Sequence, residues 1–292
     1  MSSLLDPAFV RELEHLRIEL SRRIAGVRVG EHRSLRRGAS VEFAEHRPYA
    51  PGDDPRRVDW NAFARLGELV VRLYAAEEDV TVHLLVDASR SMAFGEPSKL
   101  SVAARVAAAI GYLCLTGSER ITLSLAIGAE VSTRASMRGR RKFATLLSAL
   151  DEIDPRGRGP VDRAADALLA RTSGSRGVVV VLSDLLDEGA AISAARKLSA
   201  ARHETAVVHA LSSQELDPEA QEETTLVDSE TGERIDLALD DEALARYRER
   251  LAAWLDDTEK SLRKRGIRYV RAFPGDGLRD VVARVLERAP GR

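Results

Sequence analysis

The sequence predicts an α/β protein: a doubly wound, mostly parallel sheet, preceded by an accessory region of one helix and short strands. Three observations predict it. From Val80 onward, short apolar, β-branched runs alternate with longer stretches of helical periodicity. One run, Val178–Leu182, is apolar throughout, as expected for a parallel strand covered on both faces. The chain has 292 residues of ordinary apolar content, enough to bury such a core without disulfides or a structural metal. The reading divides the chain into an accessory region, residues 1–79, and an α/β domain, residues 80–290, with a hairpin insertion near 212–240.

The elements follow in order. Pro7–Ile24 carries Val10, Leu13, Leu16, Leu20 and Ile24 at helical spacing, and Gly26 ends it. Val27–Asp79 reads as short extended pieces. Ala50-Pro51-Gly52-Asp53 has the type II turn signature, because Pro presets a negative φ and Gly takes a positive one. Leu69–Tyr74 reads as a strand. Val80–Val86 is a strand and Lys99–Leu115 a helix, with Leu100, Ala103, Val106, Ala107, Ile110 and Leu113 on one face. Ile121–Ile127 is a strand and Glu130–Thr133 its antiparallel partner. Lys142–Leu150 and Val161–Ala170 are helices. The strand Val178–Leu182, the helix Ile192–Arg202 and the strand Thr205–Leu211 follow. Thr224–Val227 and Arg234–Leu237 form a hairpin. The helix Asp241–Arg265 ends at Gly266. Ile267–Phe273 is the last strand and Leu278–Glu287 the last helix.

Composition excludes several classes. The net charge of −2 gives no general attraction to nucleic acid or anionic membrane. The clusters Arg33, Arg36, Arg37 and Arg138, Arg140, Arg141, Lys142 have only Phe43 and Phe143 as aromatic neighbours in sequence, so they read as solvated or as docking to an acidic partner. The single cysteine, Cys114, permits no internal disulfide and lies in an apolar helical pattern. Charges interrupt the N-terminal stretch where a signal peptide needs an apolar core, and no run reads as a membrane span. A cytoplasmic protein is expected. The six histidines lack metal-binding spacing, and there is neither a phosphate-cradling glycine loop nor a Gly-x-Ser-x-Gly elbow.

The chemistry concentrates at strand ends. The run Val82–Val86 ends in Asp87-Ala88-Ser89-Arg90-Ser91, a carboxylate and two hydroxyls at alternate positions. Hard oxygen donors of this kind suit Mg²⁺ or Mn²⁺. Ligands of doubly wound sheets bind outside the carboxyl ends of the strands, and Ser183-Asp184 follows the strand Val178–Leu182. If these strands adjoin, Asp87 and Asp184 converge with Ser89 and Ser91 beside them.

A strand ending in Asp-x-Ser-x-Ser, with a later strand ending in Ser-Asp, resembles the von Willebrand factor A fold. The resemblance implies a metal-ion-dependent adhesion site with Asp87, Ser89 and Ser91 as first-loop ligands and Asp184 as the third-loop group. It also implies a middle-loop Thr near Gly157–Asp162. This chain departs from the pattern there: Asp162 stands at that position, either as a ligand or as a helix N-cap. A narrower resemblance covers nearly the whole chain. GEHRSLRRGASVEFAEHRPYAPGDDPRRVDWNAFAR, VRLYAAEED, LLVDASRSM and TTLVDSETGE are similar to the bacterial domain-of-unknown-function family number 58. Tyr49, Pro51, Gly52, Asp53, Asp54, Arg56, Asp59, Trp60 and Arg65 match its accessory-region pattern. Many relatives are encoded beside MoxR-type AAA ATPases, which implies an adaptor for such a partner.

The expected function is therefore a non-enzymatic interaction module with a Mg²⁺ or Mn²⁺ site formed by Asp87, Ser89, Ser91, Asp184 and Asp162. Two alternatives stand beside it. One is a metal-dependent hydrolase using Asp162 or Asp187 as general base; the other is a metal-free scaffold. Asp53, Asp54, Arg56, Arg57 and Asp59 read as a turn locked by Arg–carboxylate pairs, and Trp60 as a packing anchor between the accessory region and the α/β domain.

Overall fold

The computed structural model of the chain describes residues 4, 6–17, 33–34, 43–74, 76–77, 80–172, 174–187, 189–219, 221–229 and 231–287. The chain forms two compact units: Ile24–Asp79, and Met1–Arg23 together with Val80–Arg292. In chain order the first elements are α1 (residues 7–17), β1 (Arg33–Ser34), β2 (Phe43–Pro48), α2 (Trp60–Leu66), β3 (Val70–Tyr74) and β4 (Ala76–Glu77). Then come β5 (Thr81–Asp87), α3 (Lys99–Thr116), β6 (Arg120–Ile127), β7 (Glu130–Thr133), β8 (Met137–Arg138), α4 (Phe143–Asp151) and α5 (Val161–Thr172). The chain continues with β9 (Gly177–Ser183), α6 (Ala190–Ala200), β10 (Glu204–Ala210), α7 (Ser213–Leu216), β11 (Gln221–Val227) and β12 (Arg234–Leu239). It ends with α8 (Asp241–Arg263), β13 (Arg268–Ala272) and α9 (Leu278–Leu286).

The larger unit is built on one sheet of order β13-β10-β9-β5-β6-β7, with β8 pairing β6. The five strands β13 to β6 are parallel, and β7 and β8 are antiparallel edge pieces. Leu84, Leu85 and Val86 are fully buried on successive positions of β5, so both faces of this strand are covered. That is why the sequence shows a continuous apolar run and not an alternation. On one face, α5, α6 and α8 close a core with Leu85, Val179, Val181, Val207 and Tyr269. Small residues (Ala164, Ala165, Ala191, Ala194, Ala195) line that contact and let the helices approach the sheet closely. The other layer is α3 packed against α4 and α9.

From β5 the chain runs to β6 on one side, then crosses to β9, β10 and β13 on the other. The strand order therefore reverses between β5 and β9. A sheet of this kind opens a crevice at such a switch point, outside the carboxyl ends of the two strands. Pairing runs in register from Thr81↔Gly177 to Val86↔Leu182, so Asp87 and Ser183 leave the sheet side by side.

α1 belongs with the larger unit, not with the accessory region to which the sequence boundary at residue 79 assigned it. Glu12 pairs with Arg105 of α3 at 2.8 Å, Glu14 with Arg140 at 3.2 Å, and the Arg105 guanidinium lies 4.5 Å from the centre of the Phe9 ring. Residues 18–24 of the expected first helix, and Arg36 and Arg37, lie outside the described residues. α6 begins two residues earlier than its periodicity suggests, because Asp187 Oδ2 accepts from Ala191 N–H and fixes the first turn. By length and apolar composition α3 is, among the described residues, the one helix that passes for a membrane span, although no run read that way in the sequence. It is 78% buried within the unit as a core helix.

In the smaller unit β2 and β3 form an antiparallel pair. The turn that follows β2 closes through Asp53 N–H to Ala50 O at 3.0 Å, with Gly52 at φ +103°. Arg47 Nη2 bonds both oxygens of Asp53 at 2.8 Å. Asp59 caps α2 through Asn61 and Ala62 N–H and pairs with His46 Nε2 at 2.9 Å. These acids are structural. Within this unit the Trp60 side chain is 59% exposed and its ring meets Phe63 edge-on.

Candidate functional site

The site is assembled at the switch point. Asp87, the last residue of β5, is fully buried. Its Oδ1 accepts from Ser89 N–H at 2.9 Å, and its Oδ2 accepts from the Ser183 hydroxyl at 2.7 Å. The Ser89 and Ser91 hydroxyls lie 3.0 Å apart. The middle loop is zipped onto this loop by main-chain bonds from Arg156 N–H to Ala88 O and from Arg90 N–H to Gly157 O. Gly159 touches the carboxylate: a Cβ there would stand 2.2 Å from Asp87 Oδ1 and 3.1 Å from Ala126 O. Only a residue without a side chain lets the backbone come so close.

Burial, followed by the neighbouring charge of Asp184, pushes the Asp87 carboxyl up to about 7. The hydrogen bonds from Ser183 and Ser89 oppose that shift without cancelling it. The third loop is itself strained. Leu185 takes φ +59°, which a branched side chain seldom adopts, and its N–H is held by the Ser183 hydroxyl at 3.0 Å. Such strain costs about 1–3 kcal/mol and recurs at ligand sites.

Asp184 is 2% exposed. Its Oδ1 accepts from Leu186 N–H at 3.2 Å, and its Oδ2 stands 2.7 Å from Lys99 Nζ, off the hydrogen-bond line, as a contact of charge on charge. Lys99 is 1% exposed and also reaches Glu215 Oε1 at 2.5 Å. Glu215 closes a capping box on α7: Ser212 N–H donates to its Oε2 at 3.0 Å, and its own N–H donates to Ser212 Oγ at 3.1 Å. His209, at the end of β10, is fully buried with Nδ1 2.6 Å from the Tyr269 hydroxyl, and burial lowers its pKa to about 4. It is a neutral core ring.

The structure thus brings Asp87, Ser89, Ser91 and Asp184 together at the carboxyl ends of β5 and β9. Asp162 sits in the first turn of α5. An acid there is favourable to the helix dipole. Asp187 accepts from Ala191 N–H in the first turn of α6, and burial raises its pKa to about 6. Among the described residues no three His, Cys, Asp or Glu side chains are grouped to hold a metal. The fit to a hard cation therefore rests on Asp87 with the two hydroxyls, and Asp184 already faces an ammonium.

Sequence reading missed Lys99 and Glu215. Both left a trace. Ser212-x-x-Glu215 is a capping-box pattern. Lys99 opens an apolar helix at the end where the macrodipole disfavours a cation, a placement that asks for a reason.

Comparison with known proteins places these residues in a family. Residues 45–260 match the model for protein of unknown function DUF58. The chain is 31% identical over 294 residues to an uncharacterized protein of Mycobacterium tuberculosis, covering 98% of this chain and 92% of that protein, and an uncharacterized Mycobacterium bovis protein matches to the same extent. Among solved structures it is similar to an aerotolerance-related membrane protein from Bacteroides fragilis (19% identity, TM-score 0.43, 71% of this chain and 98% of that one). It is also similar to the conserved hypothetical protein BatB from Bacteroides thetaiotaomicron (16%, TM-score 0.41, 71% and 97%). With the family model spanning most of its length and a relative aligned nearly end to end, this chain belongs to the DUF58 family.

Proposed function

We propose that the α/β unit is a von Willebrand factor A-like docking module without catalytic turnover, and that the Asp87–Ser91 loop is its docking point. The observation that supports this most is the convergence at the switch point: β5 and β9 deliver Asp87, Ser89, Ser91 and the Ser183-Asp184 pair to one place, with an acidic group whose charge is poorly compensated. Asp87, Ser89 and Ser91 would hold a Mg²⁺ or Mn²⁺ ion, with Asp184 set back from it. When bound, such an ion supplies a positive centre with few protein carboxylates around it, suited to a carboxylate from a partner. Ser183 and the Gly159 backbone hold the Asp87 carboxylate in place. The Leu185 turn directs Asp184 toward Lys99.

The partner proposed is a MoxR-type AAA ATPase met in the cytoplasm, in line with the family resemblance. The test is retrieval of a purified ATPase of that type by the immobilised full chain in Mg²⁺. Wild type is expected to retain it and Asp87→Ala to lose at least about tenfold in affinity, which is about 1.4 kcal/mol. Equal retrieval by both removes the Asp87 loop from the interface.

A further inference from the structure

We propose that the buried ammonium of Lys99 is the resident cation of the third-loop carboxylate, doing for Asp184 what a metal ion would otherwise do. The inference rests on the reading of the switch-point crevice as a cation site and assigns its two halves to different cations. Lys99 Nζ stands 2.7 Å from Asp184 Oδ2 and 2.5 Å from Glu215 Oε1, with the Phe94 ring centre 5.8 Å away. Calcium holds carboxylate oxygens at about 2.3–2.6 Å. A divalent ion at the position of Nζ would meet the same two oxygens after shifts of a few tenths of an ångström.

Nothing in local structure favours a lysine here. It sits at the first position of α3, against the helix dipole, and it is 1% exposed. A buried charge persists only when paired. Both of its partners are carboxylates, one from the loop after β9 and one from α7. The ammonium therefore ties α3, the third loop and α7 into one cluster. Tyr247 of α8 extends the tie, donating from its hydroxyl to Glu215 O at 2.7 Å.

The consequence is a division of labour. With Asp184 satisfied by Lys99, a divalent ion in the crevice is left with Asp87 and the two serine hydroxyls, which keeps it weakly ligated and open to a partner's carboxylate. Removing the ammonium exposes Asp184 and Glu215 to any divalent ion.

The test compares thermal unfolding of the full chain in EDTA, in millimolar Mg²⁺ and in millimolar Ca²⁺. The proteins are wild type, Lys99→Met and the double variant Lys99→Met with Asp184→Asn. Lys99→Met is expected to gain about 5 °C more than wild type from one of the two ions, and the double variant to lose that extra gain. A response of Lys99→Met no larger than that of wild type overturns the proposal. An extra gain that persists in the double variant overturns it as well. If Lys99→Met does not fold, Lys99→Gln keeps a donor for the two acids, removes the charge, and is read in the same way. The docking reading is judged on a separate arm, wild type against Asp87→Ala, so the two can fail independently.

Discussion

Lys99→Met, measured without divalent ions, is expected to lose about 3–5 kcal/mol of unfolding free energy, the loss seen when one member of a buried ion pair is removed. For a unit of this size that is a fall in Tm of roughly 6–20 °C. The loss is large because Asp184 and Glu215 stay buried or half-buried after their shared counter-charge is gone. Adding Asp184→Asn is expected to restore a large part of it, since the stranded charge is then removed too. The two changes are therefore non-additive in urea or thermal melts. A loss below about 1 kcal/mol for the single variant, or simple additivity in the pair, contradicts the ion-pair geometry.

Asp87→Asn is expected to change how stability depends on pH. The folded-state pKa of Asp87, about 7, lies above the unfolded value of 3.8, so the folded state binds the extra proton between them. The stability contributed by protonated Asp87 is present in full below about pH 3.8 and is lost as pH rises through about 7. Asparagine keeps an acceptor for Ser89 N–H and carries no charge, so it escapes that loss. In EDTA, the stability of Asp87→Asn relative to wild type is expected to increase from pH 4 to pH 8, by up to about 4 kcal/mol. Urea unfolding across that range checks it, because the other titrating groups largely cancel in the difference. A flat difference would mean that Asp87 is not held in a desolvated site beside Asp184.

The sheet was legible because its physical signature is local. Both faces of β5 and β9 are covered, so β9 reads as an unbroken apolar run and β5 as one interrupted by His83, and Ser98, Asp187 and Asp240 mark helix starts with their own side chains. Asp87, Ser89, Ser91 and Asp184 were legible because strand ends are where a parallel sheet presents ligands. Lys99 was not, because its meaning depends on Asp184 and Glu215, 85 and 116 residues farther along the chain. Read alone, it is one more cation at a helix start. Gly159 was equally silent, since its role lies in what its missing Cβ would strike. Asp162 fits a family position by counting, while the backbone of Arg156 and Gly157 makes the contacts with the first loop.

The Asp87–Ser91 loop is proposed to take a divalent cation. The most direct measurement is the Tm of the full chain at pH 7.5 or thereabouts, in EDTA and in millimolar Mg²⁺ or Mn²⁺, for wild type and Asp87→Ala. Metal is expected to raise the wild-type midpoint by about 2–4 °C per kcal/mol of binding linkage and to leave Asp87→Ala unmoved. A wild-type midpoint indifferent to both ions, or an equal rise in the variant, would contradict it.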